Sequence, residues 1–543
     1  MEYPENIEKS IELVNKTREK RLTQKIERLH IEEAQLMLRK YHPDFRESAS
    51  RHVSVGPNQG EMVISEVVDL LESHPLIDPE HVDLNHIEHS VDVLVIGGGG
   101  AGCVTAIWAN DSGVEPDRIL IAQKLRMGDS NSIMATGAMQ MAVGADDSPA
   151  RHYLDTMGGG LFANKPELVR ALVRDAPLIV RWREELGVMG TKTPEGEFIL
   201  TKTGGCSRDR VTTPREYTGK EMMRVLVDEI ENRGIGVLEF SPAVELLKDD
   251  RGHVGGAVLW DMETGDYCLV KANSTVITTG GFGRLHMQGF PTTNHYGATA
   301  DGLVIAYRAG ARLRNMNSCQ YHPSGSIYPM QIYGRLCSEK FRSVGAQPVN
   351  KHGEMFVHPL EPRNIEASMF IRECYENGNG VETPSGLLGV WIDVPILELI
   401  HGKGYVSSHF GAEHRTMMKF GIDISEEPIL VYPTIHFQNG GIDINERAET
   451  GVPGLFAAGE VVGGVHGLNR LGGNALTEYM VFGRRAGMSA AKHAAKEKPG
   501  RLTLEHVSRY DGALQNVADS LRAPMLIPEY RKETTRSRIT SLL

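Results

Sequence analysis

The sequence predicts an α/β protein: a doubly wound domain on a parallel sheet, preceded by a helical extension. Three observations predict it. "VDVLVIGGGGAGCVTAIWANDSG", residues 91–113, reads as an apolar strand, a glycine turn and an alanine-rich helix. "RILIAQK", residues 118–124, follows as the next strand. Two later apolar strands, "STVITTGG" (274–281) and "GLFAAGE" (454–460), also end in glycines, so the chain returns to the same sheet after a long excursion.

Ahead of the first strand, residues 1–42 read as one helix. Ile7, Ile11 and Val14 recur at helical spacing, as do Leu22, Ile26 and Leu29, with Lys, Arg and Glu between them. Pro43 in "YHPD" stops the pattern. "VGPNQG" is a turn, "EMVISEVVDLLES" a second short amphipathic helix, and "HPLIDPE" breaks the chain again. Residues 1–90 are an accessory extension, either for packing or oligomerisation or for docking an electron-transfer partner.

The 543 residues suffice for roughly three or four domains. A net charge of −12 argues against nucleic acid as a partner. Six cysteines form no CxxC, CxxCH or close His/Cys pair, so no iron–sulfur, haem or zinc signature is present and no metal is expected. Scattered thiols suit a reducing compartment. "MEYPENIEKS" lacks the features of a signal peptide, and no apolar run approaches the roughly 20 residues of a membrane span. These features predict a cytoplasmic protein with no direct membrane span.

The glycine turn carries the first chemistry. Gly97, Gly99 and Gly102 fit GxGxxG: a tight turn, close approach of a pyrophosphate, and close packing of helix on strand. The helix start at Gly100 and Ala101 offers free N–H groups and partial positive charge to phosphates. The acid that usually ends the second strand and holds a ribose is replaced by Gln123 and Lys124. FAD is favoured over NAD by the loop "LRMGDSNSIMATG" (125–137) and by Gly459 and Glu460, which can close over a ribose.

Five motifs between these strands are dense in Arg and His: "CQYHPSG" (319–325), "CSEKFRS" (337–343), "EPRNIEAS" (361–368), "YPTIHFQNGG" (432–441) and "HGLNRLGGNAL" (466–476). Arg363 and Arg470 can each grip a carboxylate through a bidentate fork, and His322, His436 and Ser338 can add donors. With these motifs in this order, residues 91 to about 487 resemble the flavoprotein subunit of succinate dehydrogenases and fumarate reductases.

The resemblance implies a Rossmann-like FAD-binding domain split into 91–315 and 433–487. A mobile α+β capping domain, 316–432, is inserted into it, and 488–543 form a short C-terminal helical segment. It implies that His322, Ser338, His436 and Arg470 bind a short dicarboxylate, fumarate or succinate. Arg363 is then the proton donor or acceptor, with Glu339 and Arg342 as the relay behind it. It adds Thr279, Gly280, Asp301, Asn474 and Leu476 to the cofactor set. The implied partner is an iron–sulfur electron-transfer subunit, docked on a surface altered by the short C-terminus and the added residues 1–90.

One departure is informative. The family loop after the second strand often holds a histidine bonded to the flavin, and that place is Asn131 here. The expectation is noncovalent FAD, with Asn131, Ser132, Thr136 and Gly137 along the isoalloxazine. That is more compatible with soluble fumarate reductases and aspartate oxidases than with efficient succinate oxidation. L-aspartate oxidase is the nearest alternative; it resembles the chain at "ILTKTGGCSRDR" (199–210), but places an acid for the substrate ammonium where this chain has Thr203. Further alternatives are a flavin electron-transfer subunit with a vestigial site, and a reductase of another unsaturated acid.

Overall fold

In the computed structural model, which describes residues 3–137, 139–212, 217–515 and 517, the N-terminal helix is two helices. α1 (Glu5–Arg21) and α2 (Ile31–Tyr41) flank a non-helical stretch. The single helix over 1–42 is thus corrected, and the backbone donors show why. The Leu29 N–H goes to Glu361 Oε1 at 2.8 Å, and the His30 N–H goes to Glu33 Oε2 at 3.2 Å, which opens α2. "EMVISEVVDLLES" is corrected too. Met62–Ile64 pairs as a strand with Ser50–His52, and only Ser65–Leu71 is helical.

β1 (His89–Ile96), α3 (Gly100–Asp111) and β2 (Ile119–Ala122) form the opening β-α-β unit. Val91, Val93, Leu94, Val95 and Ile96 are all buried, so the strand is covered on both faces and shows no polar alternation. β3 (Tyr267–Ile277) pairs parallel with β1, and β1 pairs parallel with β2. Across this eight-stranded sheet the order is Leu502–Thr503, Ala243–Asp249, Val254–Trp260, β3, β1, β2, Gly236–Leu238. Leu502–Thr503 thus brings the C-terminal region onto the sheet edge, followed by a helix at Glu505–Leu514; the rest of the predicted C-terminal segment, 516 and 518–543, lies outside the described residues.

The chain leaves this sheet after β3 and builds a second one. β4 (Cys319–Ser326), α4 (Arg363–Tyr375), β5 (Leu388–Asp393) and β6 (Ile429–Gln438) are its main elements. The sheet is antiparallel, in the order β4, β6, β5, Gln347–Val349, with Val381–Glu382 also on β5. Its core contains Phe341, Phe370, Ile392 and Val431, and α2 adds Met37 and Leu38. β7 (Leu455–Ala457) then returns to the first sheet, parallel to β3, and α5 (Asn474–Ala494) crosses against α3. Gly483 and Gly487 make that crossing close: a Cβ there would lie 2.9 Å from Ala101 O and 2.4 Å from Thr105 O.

We propose the divisions 91–315 with 433–487, and 316–432, as the cofactor and capping domains. β6 runs through position 432 without a break. The N-terminal extension holds both parts. Arg18 and Arg21 pair with buried Asp393, and Trp391 Nε1 donates to Ser10 Oγ at 2.8 Å. On the other side, Tyr307 Oη donates to Val55 O at 2.8 Å and Asn58 Nδ2 to Leu313 O at 2.9 Å. Among the described residues, no helix is long and apolar enough to cross a membrane.

Candidate active site

The glycine turn is built as the motif requires. Gly97 has φ +110°, and a Cβ on it would lie 2.5 Å from Thr278 O. A Cβ on Gly102 would lie 1.8 Å from Gly97 O, so α3 can approach β1 only with glycine there. Beyond the turn opens a cavity of about 610 Å³. Gly97, Gly99, Gly100, Ala101, Gln123, Lys124, Asn131, Ser132, Thr136, Gly137, Thr279, Gly280, Asp301, Gly459, Glu460 and Leu476 line it. These residues fit FAD: a Cβ-free cradle for a pyrophosphate at a helix start, in a cavity that continues to the Arg/His cluster.

Two residues of the expected cofactor set do not face this cavity. Gly102 serves helix packing alone. The Asn474 amide turns away, its Oδ1 accepting from His152 Nε2 at 2.8 Å and its Nδ2 donating to Thr156 Oγ1 at 3.1 Å. Two others face it with their amides already engaged. Gln123 accepts the Gly98 N–H at 2.7 Å and donates to the carbonyls of Arg126 and Asp129, so it braces the turn. Asn131 Oδ1 accepts the His295 N–H at 2.6 Å, and Nδ2 donates to Asn294 Oδ1 and Glu460 Oε2 at 3.1 Å each. Asn131 therefore ties three loops together beside the cavity.

The same cavity reaches His322, Ser338, Glu339, Arg363, His436 and Arg470. Arg363 stands at the start of α4, His322 on β4 and His436 on β6, so three separate elements converge. Two register shifts in the β4–β6 pairing flank Tyr321 and His322. His322 Nδ1 accepts the Ser324 N–H at 3.2 Å, which leaves the proton on Nε2; that atom is buried and unpartnered, 3.8 Å from Glu339 Oε2. His436 Nδ1 is 2.7 Å from Thr293 Oγ1. Burial, then the nearby Arg363 charge, holds both histidines well below the ordinary range, so both are neutral.

Glu339 is the counter-charge. Burial alone would raise its carboxyl, but the guanidiniums of Arg363 and Arg342 overcome burial and hold it at about 2. Arg363 Nη2 contacts Glu339 Oε2 at 2.6 Å, and the Gly204 N–H donates to Oε1 at 2.7 Å. Arg342 does not reach the cavity. Its side chain pairs with buried Glu366 and donates to Pro359 O at 2.9 Å, so it acts on Glu339 through its charge. Arg470 lies over the Phe437 ring at 4.3 Å with Nε unpartnered, and burial followed by Arg363 pulls it down to about 9.

The model of the FAD binding domain family matches residues 92–476. One subunit of the fumarate reductase (CoM/CoB) of Methanothermobacter marburgensis is 38% identical over 414 residues, covering 75% of this chain and 73% of that one. The chain belongs to the flavoprotein family of fumarate reductases and succinate dehydrogenases. It is an FAD-dependent oxidoreductase. L-aspartate oxidase of Streptomyces coelicolor is 32% identical, covering 81% of this chain and 74% of that one. A solved quinol–fumarate reductase has a TM-score of 0.70 at 29% identity, over 79% of this chain and 75% of that one.

Sequence reasoning passed over Gln320, Thr293 and Glu478. Gln320 sits inside "CQYHPSG", but an uncharged amide beside a histidine gives little signal. Thr293 is far from any motif and is identified only by its contact with His436. Glu478 lines the cavity, and burial, reinforced by Glu460, pushes it up to about 8.

Proposed function

We propose that this flavoprotein interconverts fumarate and succinate, with Arg363 as proton donor or acceptor. One observation carries the reading: Arg363, backed by Glu339, shares a single cavity with Arg470, His322 and His436, and that cavity is continuous with the glycine cradle. Bound FAD supplies the two-electron hydride chemistry at its isoalloxazine ring. Arg470 and the Nε2–H of His322 bind carboxylates, joined by His436 and Ser338. Negative charge that grows on one carboxylate during reduction is met by Arg470, which is already desolvated and needs no reorganisation.

Arg363 gives its proton to the adjacent carbon. An arginine is a weak acid, but a carbanion-like carbon is a strong base, and Glu339 in contact restores the proton. Arg342 supports the relay through its field. FAD is held noncovalently, because Asn131 occupies the place of an attaching histidine and an amide nitrogen is no nucleophile. For the electron source we propose an iron–sulfur subunit; the relative named as one subunit of a larger enzyme supports a partner.

L-aspartate oxidation is the second reading, supported by the relative of that name. Thr203 speaks against it. Its hydroxyl is 3.1 Å from Cys206 Sγ and 3.4 Å from Gly472 O, and a neutral hydroxyl leaves a buried ammonium without its counter-charge. The test compares initial rates on one FAD-loaded preparation: fumarate with reduced viologen, succinate with an artificial acceptor, and L-aspartate with oxygen. Fumarate reduction should dominate. Peroxide from L-aspartate without fumarate reduction would move the protein to the second reading.

A further inference from the structure

Gln320 lies under the two arginines, outside the cavity wall, and only 2% exposed. Its Oε1 accepts from Arg363 Nη1 at 3.0 Å and from Arg470 Nη2 at 2.9 Å. Its Nε2 donates to the Arg470 carbonyl at 2.6 Å and to Asn469 Oδ1 at 3.1 Å. A backbone carbonyl can only accept, so the amide orientation is determined: nitrogen toward Arg470 O, oxygen toward the guanidiniums. All four hydrogen bonds are made, and the two to Oε1 join side chains from separate elements, Arg363 at the start of α4 and Arg470 ahead of α5.

We infer that Gln320 is a positioning residue that sets both the spacing and the charge of the dicarboxylate site. This rests on the fumarate/succinate reading. Two buried guanidiniums that share one acceptor repel each other and tend to swing apart. An acceptor between them must hold both without cancelling either, because both are needed against a dianion. A carboxylate would hold them better but remove one unit of positive charge. An apolar side chain would leave the charge but lose the hold. An amide oxygen has two lone pairs and no net charge, and it meets both conditions. The charged groups that act on Arg470 besides Arg363 are Glu460, Glu339 and Glu478, and of these Glu339 is already engaged by Arg363.

Two substitutions at this one position should therefore differ. Gln320→Glu keeps shape and adds a negative charge, so it weakens anion binding. Gln320→Met keeps length and charge balance but frees the Nη2 arm of Arg470 and the Nη1 arm of Arg363, so it misplaces the proton donor and slows turnover. A residue needed only for packing would lose stability in both variants and show no such split.

The experiment uses FAD-loaded full-length protein. Fumarate is titrated into the oxidised form and followed by the flavin absorption spectrum. Turnover is measured with reduced viologen, and flavin content and thermal midpoint are recorded for each variant. The expected result is a fumarate Kd raised at least about tenfold in Gln320→Glu. In Gln320→Met, kcat falls about tenfold or more while Kd stays within about threefold. A Gln320→Glu protein that binds fumarate as tightly as the parent overturns the inference. So does a Gln320→Met protein with parental kcat, and that variant decides the matter alone if the first fails to fold. Parental protein that shows no response to fumarate defeats the functional reading itself, and the inference with it.

Discussion

Arg363 Nη2 and Nε both point at one oxygen of Glu339, at 2.6 and 2.8 Å. The fork keeps Glu339 ionised, at about 2. Such a carboxylate is a poor proton donor while Arg363 is charged. On the proposed route, loss of the Arg363 proton removes the larger of the two fields that hold Glu339 down and leaves that of Arg342, so burial then counts for more and the carboxyl's proton affinity rises. On that route Glu339 becomes able to collect a proton for Arg363 only after Arg363 has given its own away.

Arg363→Gln should keep its FAD and lose fumarate reduction by about 10³-fold or more, since the proton donor is gone and water has no equivalent position. Glu339→Gln still accepts the Gly204 N–H, so it should slow turnover strongly with little change in fumarate Kd. Stopped-flow reoxidation of the reduced protein by fumarate reads both. Near-parental rates in Arg363→Gln would end this proton route.

The cofactor should come away from the chain intact. Both N–H donors of the Asn131 amide are spent on Asn294 and Glu460, and its oxygen accepts from His295. Acid or heat denaturation should release all the FAD to the supernatant. Flavin fluorescence that travels with the polypeptide on a denaturing gel would refute noncovalent binding.

The pH dependence of binding follows from three groups that stay silent and two, Arg470 and Glu478, that titrate. His322 and His436 are held well below the ordinary range, first by burial and then by Arg363, and Glu339 is held at about 2. None of them changes charge between pH 5.5 and 8. Arg470 is pulled down to about 9, and a bound dianion raises it again. Affinity that depends on its charge is fully present below 9 and is lost as pH rises through 9. Fumarate Kd should thus be flat from pH 5.5 to about 7 and climb as pH rises through 8 and 9, where Glu478, at about 8 in the same cavity, gains negative charge and Arg470 then loses its positive charge. A weakening centred near pH 6.5 would mean that the histidines bind as cations.

How far the sequence carried this picture depended on the kind of signal. The β1 turn was legible because two hard constraints act on glycine there: the positive φ at Gly97 and the 1.8 Å approach at Gly102. Residues with strong chemistry, such as Arg363 and His322, were legible from their motifs. Asn474 was not: its motif position is right, but its amide is claimed by His152 and Thr156, which lie in another stretch of chain. For Arg342 the motif gave no sign of its partner: Glu366, a turn into α4, takes its guanidinium. The break between α1 and α2 was invisible because apolar spacing reports which residues can be buried, not where a backbone N–H finds its acceptor. Glu361, which takes the Leu29 N–H, is 332 residues away.

The N-terminal extension should be held to the second sheet by charge as well as by packing. Asp393 on β5 is fully buried and accepts from Arg21 Nη2 at 2.7 Å and from Arg18 Nη2 at 2.8 Å. Arg21 is itself only 1% exposed, and its Nη1 donates to Gln347 Oε1 at 2.6 Å. Burial alone lowers the proton affinity of Arg21, so the pair is stable only as a pair. Breaking a buried pair commonly costs about 3–5 kcal/mol. Arg18 still pairs with Asp393 in Arg21→Ala, so the cost there should be about 2–3 kcal/mol, with much less for Asp393→Asn added on top. In the single variant the carboxylate remains buried with half its partners; in the double variant that buried charge is gone, and Arg18, partly exposed, keeps its hydrogen bond to Asn15 Oδ1. Denaturant unfolding of the four proteins in this cycle should give a coupling energy of at least about 1 kcal/mol. Additive effects would mean that the extension is held by Trp391–Ser10 and apolar packing, with the arginines as bystanders.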